Sequence, residues 1–96
     1  MIMRISSAFV PEDTVEAYLD DLSRTVIPLY SKASGLASVA VLRRQLVAYG
    51  EVAIVSAWDS REAMLEFFNS TPPPSAASLC AVILREPLSY ELVLCA

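Results

Sequence analysis

The chain contains no histidine among its 96 residues. That removes most zinc sites, the usual nucleophile–histidine triads and the commonest general base. Cysteine is nearly as scarce. Cys80 and Cys95 sit in apolar surroundings and match no metal-ligand spacing, so burial in a core is their expected role. Charge is sparse as well: seven basic and eleven acidic residues give a net charge of −4, and among the basic ones only Arg43 and Arg44 are adjacent. Two arginines on a strand suit an exposed edge, and nucleic-acid binding needs a clustered basic footprint that this scatter does not supply. No window of about 18 residues is free of both charge and proline, so no membrane span is expected. The N-terminal MIMRISSAFV is too short an apolar run for a signal peptide. Arg4, Ser6 and Ser7 interrupt it, and Pro11-Glu12-Asp13 follows without a cleavage-type spacer. A cytoplasmic protein is the default expectation.

Apolar residues, by contrast, make up 55% of the chain. A single domain of this length buries only about 60–65% of its unfolded surface, so its core is limited. The excess has two ordinary outlets, a buried subunit interface or an apolar ligand cavity.

The most informative stretch runs from Glu51 to Phe68, where the hydrophobic period changes. Val52, Ile54 and Val55 suit a pleated strand, whereas Met64, Phe67 and Phe68 recur at helical spacing. Asp59 is the expected N-cap, with Glu62 three residues on completing a capping box. A strand therefore ends at Trp58, the only tryptophan, and a helix starts almost at once.

The remaining elements follow from the same rules. Ile2, Ile5, Phe9 and Val10 mark a first strand that Pro11 closes. Val15, Tyr18, Leu19, Leu22, Val26, Leu29, Tyr30 and Ala33 form the stripe of a long amphipathic helix. Pro28 must kink it or split off its last turns, and Gly35 is the natural stop. Leu36–Leu46 reads as the second strand, with Gly50 supplying a positive φ in the hairpin to the third. Thr71-Pro72-Pro73-Pro74 ends the second helix. Ser75–Arg85 fits either a helix or, through its Cys80–Leu84 run, a buried strand; Ser75, Ala76 and Ala77 favour the helix. Tyr90–Leu94 is the last strand. The order βαββα(α)β is the ferredoxin-like α+β arrangement, a four-stranded antiparallel sheet with helices on one face.

Several residues match a known family. They are Pro11-Glu12 closing strand one, Val26-Ile27-Pro28-Leu29-Tyr30 interrupting the long helix, Gly35-Leu36 opening strand two, and Trp58-Asp59-Ser60-Arg61-Glu62-Ala63-Met64 after strand three. With these the chain resembles the antibiotic biosynthesis monooxygenase family of dimeric α/β barrels. The resemblance implies a homodimer formed through sheet faces and a pocket between sheet and helices. It also implies a choice among cofactor-independent oxidation of aromatic polyketides, haem degradation and breakdown of other small molecules. Haem-degrading members use an Asn on the first strand, a Trp inside the second helix and a His beyond it. Here the first strand has no Asn, Phe67 takes the position of that Trp, and there is no His. The expectation is therefore an apolar ligand, aromatic or polyketide-derived, with no cofactor and no metal.

Five residues are candidates for contact with it, and each has a plainer role beside the functional one. Trp58 lines a cavity by stacking or packs under a helix as core. Tyr18 and Tyr30 offer hydroxyls to a ligand or are ordinary buried members of the helix stripe. Phe67 holds the family position of a pocket residue within an apolar helix face. Asn69 orients a substrate carbonyl or caps its helix. No catalytic residue is assignable: Glu51, Glu66 and Glu91 stand where carboxylates are normally solvated, and only burial would tune one as a base near neutrality. A non-catalytic dimeric ligand-binding or accessory protein of the same fold is the rival reading.

Overall fold

A computed structural model of the chain describes residues 1–70, 83–84 and 87–94. Strand β1 is Ile2–Pro11, β2 is Leu36–Gln45 and β3 is Tyr49–Trp58. A 3-10 turn, Glu12–Thr14, leads from β1 into a helical rod made of α1 (Val15–Asp21), a π-helical turn (Leu22–Val26) and α2 (Ile27–Ser31). Helix α3 is Arg61–Ser70, and two short strands follow, β4 (Ile83–Leu84) and β5 (Leu88–Glu91). The sheet runs β2-β3-β1, and both β4 and β5 pair with the remaining edge of β1. Every pairing is antiparallel. The result is a ferredoxin-like sheet four strands wide, with its fourth position shared by β4 and β5.

Parity along the strands decides which face is which. Ile2, Ala8 and Val10 of β1 and Val52, Ile54 and Trp58 of β3 are buried with Val15, Tyr18, Leu22, Val26, Tyr30 and Met64 from the helices. Helices therefore cover the even-numbered face of β1 and β3. The odd-numbered face, with Met3, Ile5, Phe9, Ala53 and Val55, carries no helix. An open concavity of about 440 Å³ lies on it, among Ile5, Leu42, Arg44, Glu51, Ala53 and Leu88.

Pro28 splits the rod by a specific device. A proline inside an α-helix has no N–H for the carbonyl four residues back, and its ring crowds that carbonyl. Widening the preceding turn to the π-helical pattern relieves the clash. Side chains then take up carbonyls near the irregular turn: Thr25 Oγ1 donates to Asp21 O at 2.8 Å and Ser31 Oγ to Ile27 O at 3.1 Å. The apolar stripe survives the change, except that Leu29 is exposed.

Several local expectations are corrected. The cap of α3 is Ser60, whose Oγ accepts the Ala63 N–H at 3.1 Å; the signal lay one residue downstream of Asp59. In the β2–β3 hairpin the positive φ belongs to Ala48, at 65°, not to Gly50. Gly50 is needed for space, because a Cβ there would sit 2.7 Å from Val15 Cγ2. The helix favoured over 75–85 fails at Ile83–Leu84, which pair as strand β4 with Phe9 and Ala8. The rest of that segment, with Cys80, and Cys95 further on, lie outside the described residues. The last strand is Leu88–Glu91, starting two residues and ending three residues before the expected Tyr90–Leu94. Between β4 and β5 the register slips: Phe9 to Ile5 is four steps on β1, while their partners Ile83 and Leu88 are five apart. Pro87, which cannot donate to a ladder, immediately precedes β5.

Candidate functional site

The layer between sheet and helices is aromatic where α2, α3 and the end of β3 converge. Trp58 is fully buried, and its indole Nε1 donates to Ser56 Oγ at 2.9 Å. The two side chains share a face of β3, being two residues apart. The Phe67 ring lies 4.9 Å from that of Tyr30 and 5.2 Å from that of Trp58. Phe68 meets Phe67 edge-on at 5.0 Å and Trp58 at 5.8 Å. Tilted and edge-to-face pairs at these separations are the geometries that aromatic quadrupoles favour. The joint that builds this cluster is tight. Gly35, with φ +86°, lets the chain turn into β2 so close to α3 that a Cβ there would stand 2.6 Å from Ala63 Cβ. Gly35 O also accepts the Asp59 N–H at 2.8 Å, pinning the strand-to-helix corner.

A cation sits against this cluster. Arg4 lies on the helix-covered face of β1, opposite Ser56, and its guanidinium carbon is 3.8 Å from the centroid of the Phe68 ring. A cation over a phenyl face gains about 0.5–2 kcal/mol, more as water is excluded. Yet Arg4 Nε is buried and has no hydrogen-bond partner among the described residues. Leaving a buried donor unpaired costs about 1–3 kcal/mol, more for a charged group. Burial pulls the Arg4 pKa down, and the neighbouring Tyr30 opposes that pull. Burial pushes the Tyr30 phenol up, with Arg4 pulling the other way, so the phenol stays protonated at neutral pH and can donate. The layer thus combines an apolar aromatic wall with a cation, a phenol and a serine hydroxyl.

Of the five sequence candidates, Trp58, Tyr30 and Phe67 are brought together. Tyr18 is buried on the same helical stripe but twelve residues before Tyr30, roughly 18 Å along a helical axis. Asn69 is exposed and lies inside the last turn of α3, so it is not a cap. Arg4 and Phe68 were not among the candidates. The signal for Arg4 was parity: it occupies an even position of β1, between Ile2 and Val10, where an arginine must point towards the helices. Beside Phe67 a dent of about 130 Å³ opens between Ala33, Ser34, Ala63, Glu66 and Ser70. A third concavity, about 190 Å³, lies at the far end of the sheet near Glu12, Arg43, Gln45 and Tyr49. There Arg43 pairs with Glu16 at 2.7 Å and Gln45 donates to Glu12 at 2.8 Å, which reads as exposed polar stitching between β2 and the rod.

The sequence profile of the family described as antibiotic biosynthesis monooxygenase matches residues 1–76. The chain belongs to that family. No curated protein matches it. Solved structures with the same fold include a putative antibiotic biosynthesis monooxygenase from Nitrosomonas europaea, at 16% identity and TM-score 0.74 over 98% of this chain and 100% of the other. SnoaB, a cofactor-independent oxygenase from Streptomyces nogalater, is similar at 16% identity and TM-score 0.70, covering 98% and 95%. MhuD, a haem degrader from Mycobacterium tuberculosis with two haems in its active site, is similar at 18% identity and TM-score 0.70, covering 100% and 99%. At these identities the likeness is one of fold.

The residues present do not fit haem. The four aromatic side chains pack on one another at tilted and edge-on angles, and the dent beside them, about 130 Å³, leaves room for a small ring next to Phe67 but not for a haem macrocycle. No histidine exists to bind the iron. Among the described residues no group of three or more His, Cys, Asp or Glu side chains is placed to hold a metal ion, and no helix is long and apolar enough to cross a membrane.

Proposed function

We propose that this family member is a cofactor-independent monooxygenase-like enzyme acting on a small aromatic or polyketide-derived molecule, and that it works as a homodimer paired through its sheet faces. The observation that carries the reading is the wall of Tyr30, Trp58, Phe67 and Phe68 with the half-buried Arg4 against it. SnoaB, which shares the fold, is described as a cofactor-independent oxygenase, which supports the choice of chemistry. Such chemistry asks little of the protein: bind an acidic aromatic molecule, let it lose a proton, and keep the carbanion away from water until it meets dioxygen. The aromatic wall supplies the dry face. Trp58, held by Ser56, is the rigid backing of that face, and the Tyr30 phenol is a donor for a ring oxygen.

A purely apolar pocket would have favoured a passive binder. The presence of Arg4 and Tyr30 in the layer favours the enzyme. Glu51 faces the opposite side of the sheet in an ion pair with Arg44, whose Nε donates to it at 3.0 Å, and Glu66 and Glu91 are exposed. Glu66 borders the dent beside Phe67 but is exposed, and no buried carboxylate lines the aromatic layer among the described residues, so the proton is lost to solvent from a substrate that is itself acidic. Oxygen uptake with anthrones and hydroxynaphthoquinones tests the proposal. Enzyme-dependent uptake of about one dioxygen per quinone formed is the expected result. Saturable binding of the same compounds without oxygen consumption would instead establish the passive ligand-binding protein.

A further inference from the structure

We propose that Arg4 is the anion anchor of the helix-side site, and that the site selects aromatic ligands carrying an ionised oxygen, whether carboxylate or enolate. This rests on the aromatic wall being the ligand site but not on any oxygenation occurring there.

Three observations converge on Arg4. It is a cation on the covered face of a central strand, among positions otherwise filled by Ile2, Ala8 and Val10. Its guanidinium carbon stands over the Phe68 ring, 3.8 Å from the centroid, which holds the fork beside the aromatic wall. Its Nε–H is buried and has no acceptor among the described residues. Arg24, Arg43 and Arg44 differ: each is an exposed arginine that meets a carboxylate. A structural arginine held only by a ring contact does not need its Nε–H unpaired and buried. A recognition arginine does, because the missing acceptor arrives with the ligand.

The chemistry of the acceptor follows from the donor. A guanidinium offers parallel N–H groups in one plane, which match a carboxylate or a vicinal enolate and carbonyl, and do not match a neutral amide or ether equally well. In a water-poor layer that charge-assisted pair is stronger than at the surface. It also stabilises the ionised form of the ligand, so the anchor lowers the ligand's own pKa. Tyr30, protonated and beside Arg4, adds a neutral donor to the same oxygen. An acidic ring then packs against the Phe67 side of the wall, which Trp58 backs, with its anionic edge turned towards β1.

Two pairs of ligands test this through quenching of Trp58, the only tryptophan. One is 2-naphthoate against 2-naphthamide. The other is 2-hydroxy-1,4-naphthoquinone, ionised at neutral pH, against its methyl ether. Wild type should bind the ionised member about tenfold or more tightly in at least one pair, the size of one charge-assisted hydrogen bond. A preference in one pair alone supports the anchor and identifies the type of oxygen. Arg4→Gln should abolish the preference, bringing the Kd values of the two members of a pair within about twofold of each other, and Arg4→Lys should keep part of it. Should Arg4→Gln fail to fold, the Arg4 Nε–H resonance of ¹⁵N-labelled wild type decides instead. It should move downfield on titration with the ionised ligand and saturate at the same Kd. Equal affinity within both pairs, or a preference that survives Arg4→Gln, or a resonance that stays still, overturns the anchor and leaves the aromatic wall standing. Binding of no member of either pair overturns both. Acid-selective binding without oxygen uptake overturns the oxygenase alone.

Discussion

At the scale of single residues, Tyr30, Trp58 and Phe67 carry distinct and separable consequences. Tyr30 is buried, and its phenol is pushed up by that burial. The folded state therefore holds the Tyr30 proton more tightly than the unfolded chain does. As pH rises past about 10, the ordinary tyrosine value, the unfolded state ionises first, and stability falls until the folded pKa is passed. Urea midpoints at pH 8 and pH 10.5 should drop more for wild type than for Tyr30→Phe, and equal drops would show that Tyr30 does not contribute. Trp58→Phe should keep the fold but strand the Ser56 hydroxyl, costing about 1–3 kcal/mol beyond the lost ring contacts. Changing Ser56→Ala in that background should recover part of the loss. Phe67 bears on haem: adding it to the protein should give no saturable Soret shift. A shift at one haem per subunit, with turnover under reductant, would refute the reading that Phe67 and its neighbours fill that space. These three residues were legible in the sequence because each is large, apolar and periodic. Arg4 and Phe68 were not, since only cross-strand register and the approach of α3 to β1 bring a strand cation over a helix ring.

Elements were easier to read than their ends. The order of strands and helices up to α3 follows from periodicity and from the proline and glycine breakers, which is why the ferredoxin-like arrangement was legible in the sequence. Boundaries depend on single hydrogen bonds. Ser60 rather than Asp59 caps α3 because the Ser60 hydroxyl reaches the Ala63 N–H, and both residue types are good caps. Ala48 rather than Gly50 takes the left-handed turn because Gly50 is committed to the close approach of Val15, a tertiary constraint absent from local sequence. The apolar run before Glu86 looked helical by composition, but Ile83 and Leu84 complete the edge of β1, so pairing outweighs propensity there. Gly35 gives the sharpest test at this scale. Gly35→Ala should destabilise by about 2–5 kcal/mol, combining a left-handed backbone penalty with overpacking against Ala63. Adding Ala63→Gly should relieve the packing part but not the backbone part. Chemical denaturation of both singles and the double would show this as a favourable coupling, and simple additivity would mean that the corner relaxes without pressing on α3.

For the molecule as a whole, the decisive feature is the face of the sheet that no helix covers. Leu42, Leu88 and Tyr90 are 55%, 45% and 52% exposed, and Met3, Ile5, Phe9, Ala53 and Val55 share their side of the sheet by parity. Soluble monomers rarely leave an apolar patch of more than a few hundred Å² in water. The ion pair of Arg44 with Glu51 is a charged interruption on this face, and it neutralises itself, so it can be buried without leaving a lone charge. A two-fold axis through the face would cover all of it with one self-complementary surface, the commonest arrangement among soluble oligomers. It would leave the aromatic layer and Arg4 untouched on the far side, so dimerisation and ligand binding should be separable by mutation. The expected interface is hydrophobic and of obligate size, roughly 2,000 Å² or more. Folding and association are then linked by mass action, and the unfolding midpoint should rise with protein concentration. Leu42→Arg, which sets a third charge beside Arg44 and Glu51, should weaken the dimer and lower that midpoint, whereas the same change at exposed Val47, in the hairpin, should do neither. Sedimentation equilibrium at low micromolar concentration decides the matter: a stable, folded monomer there would refute the dimer and leave the apolar face without an account.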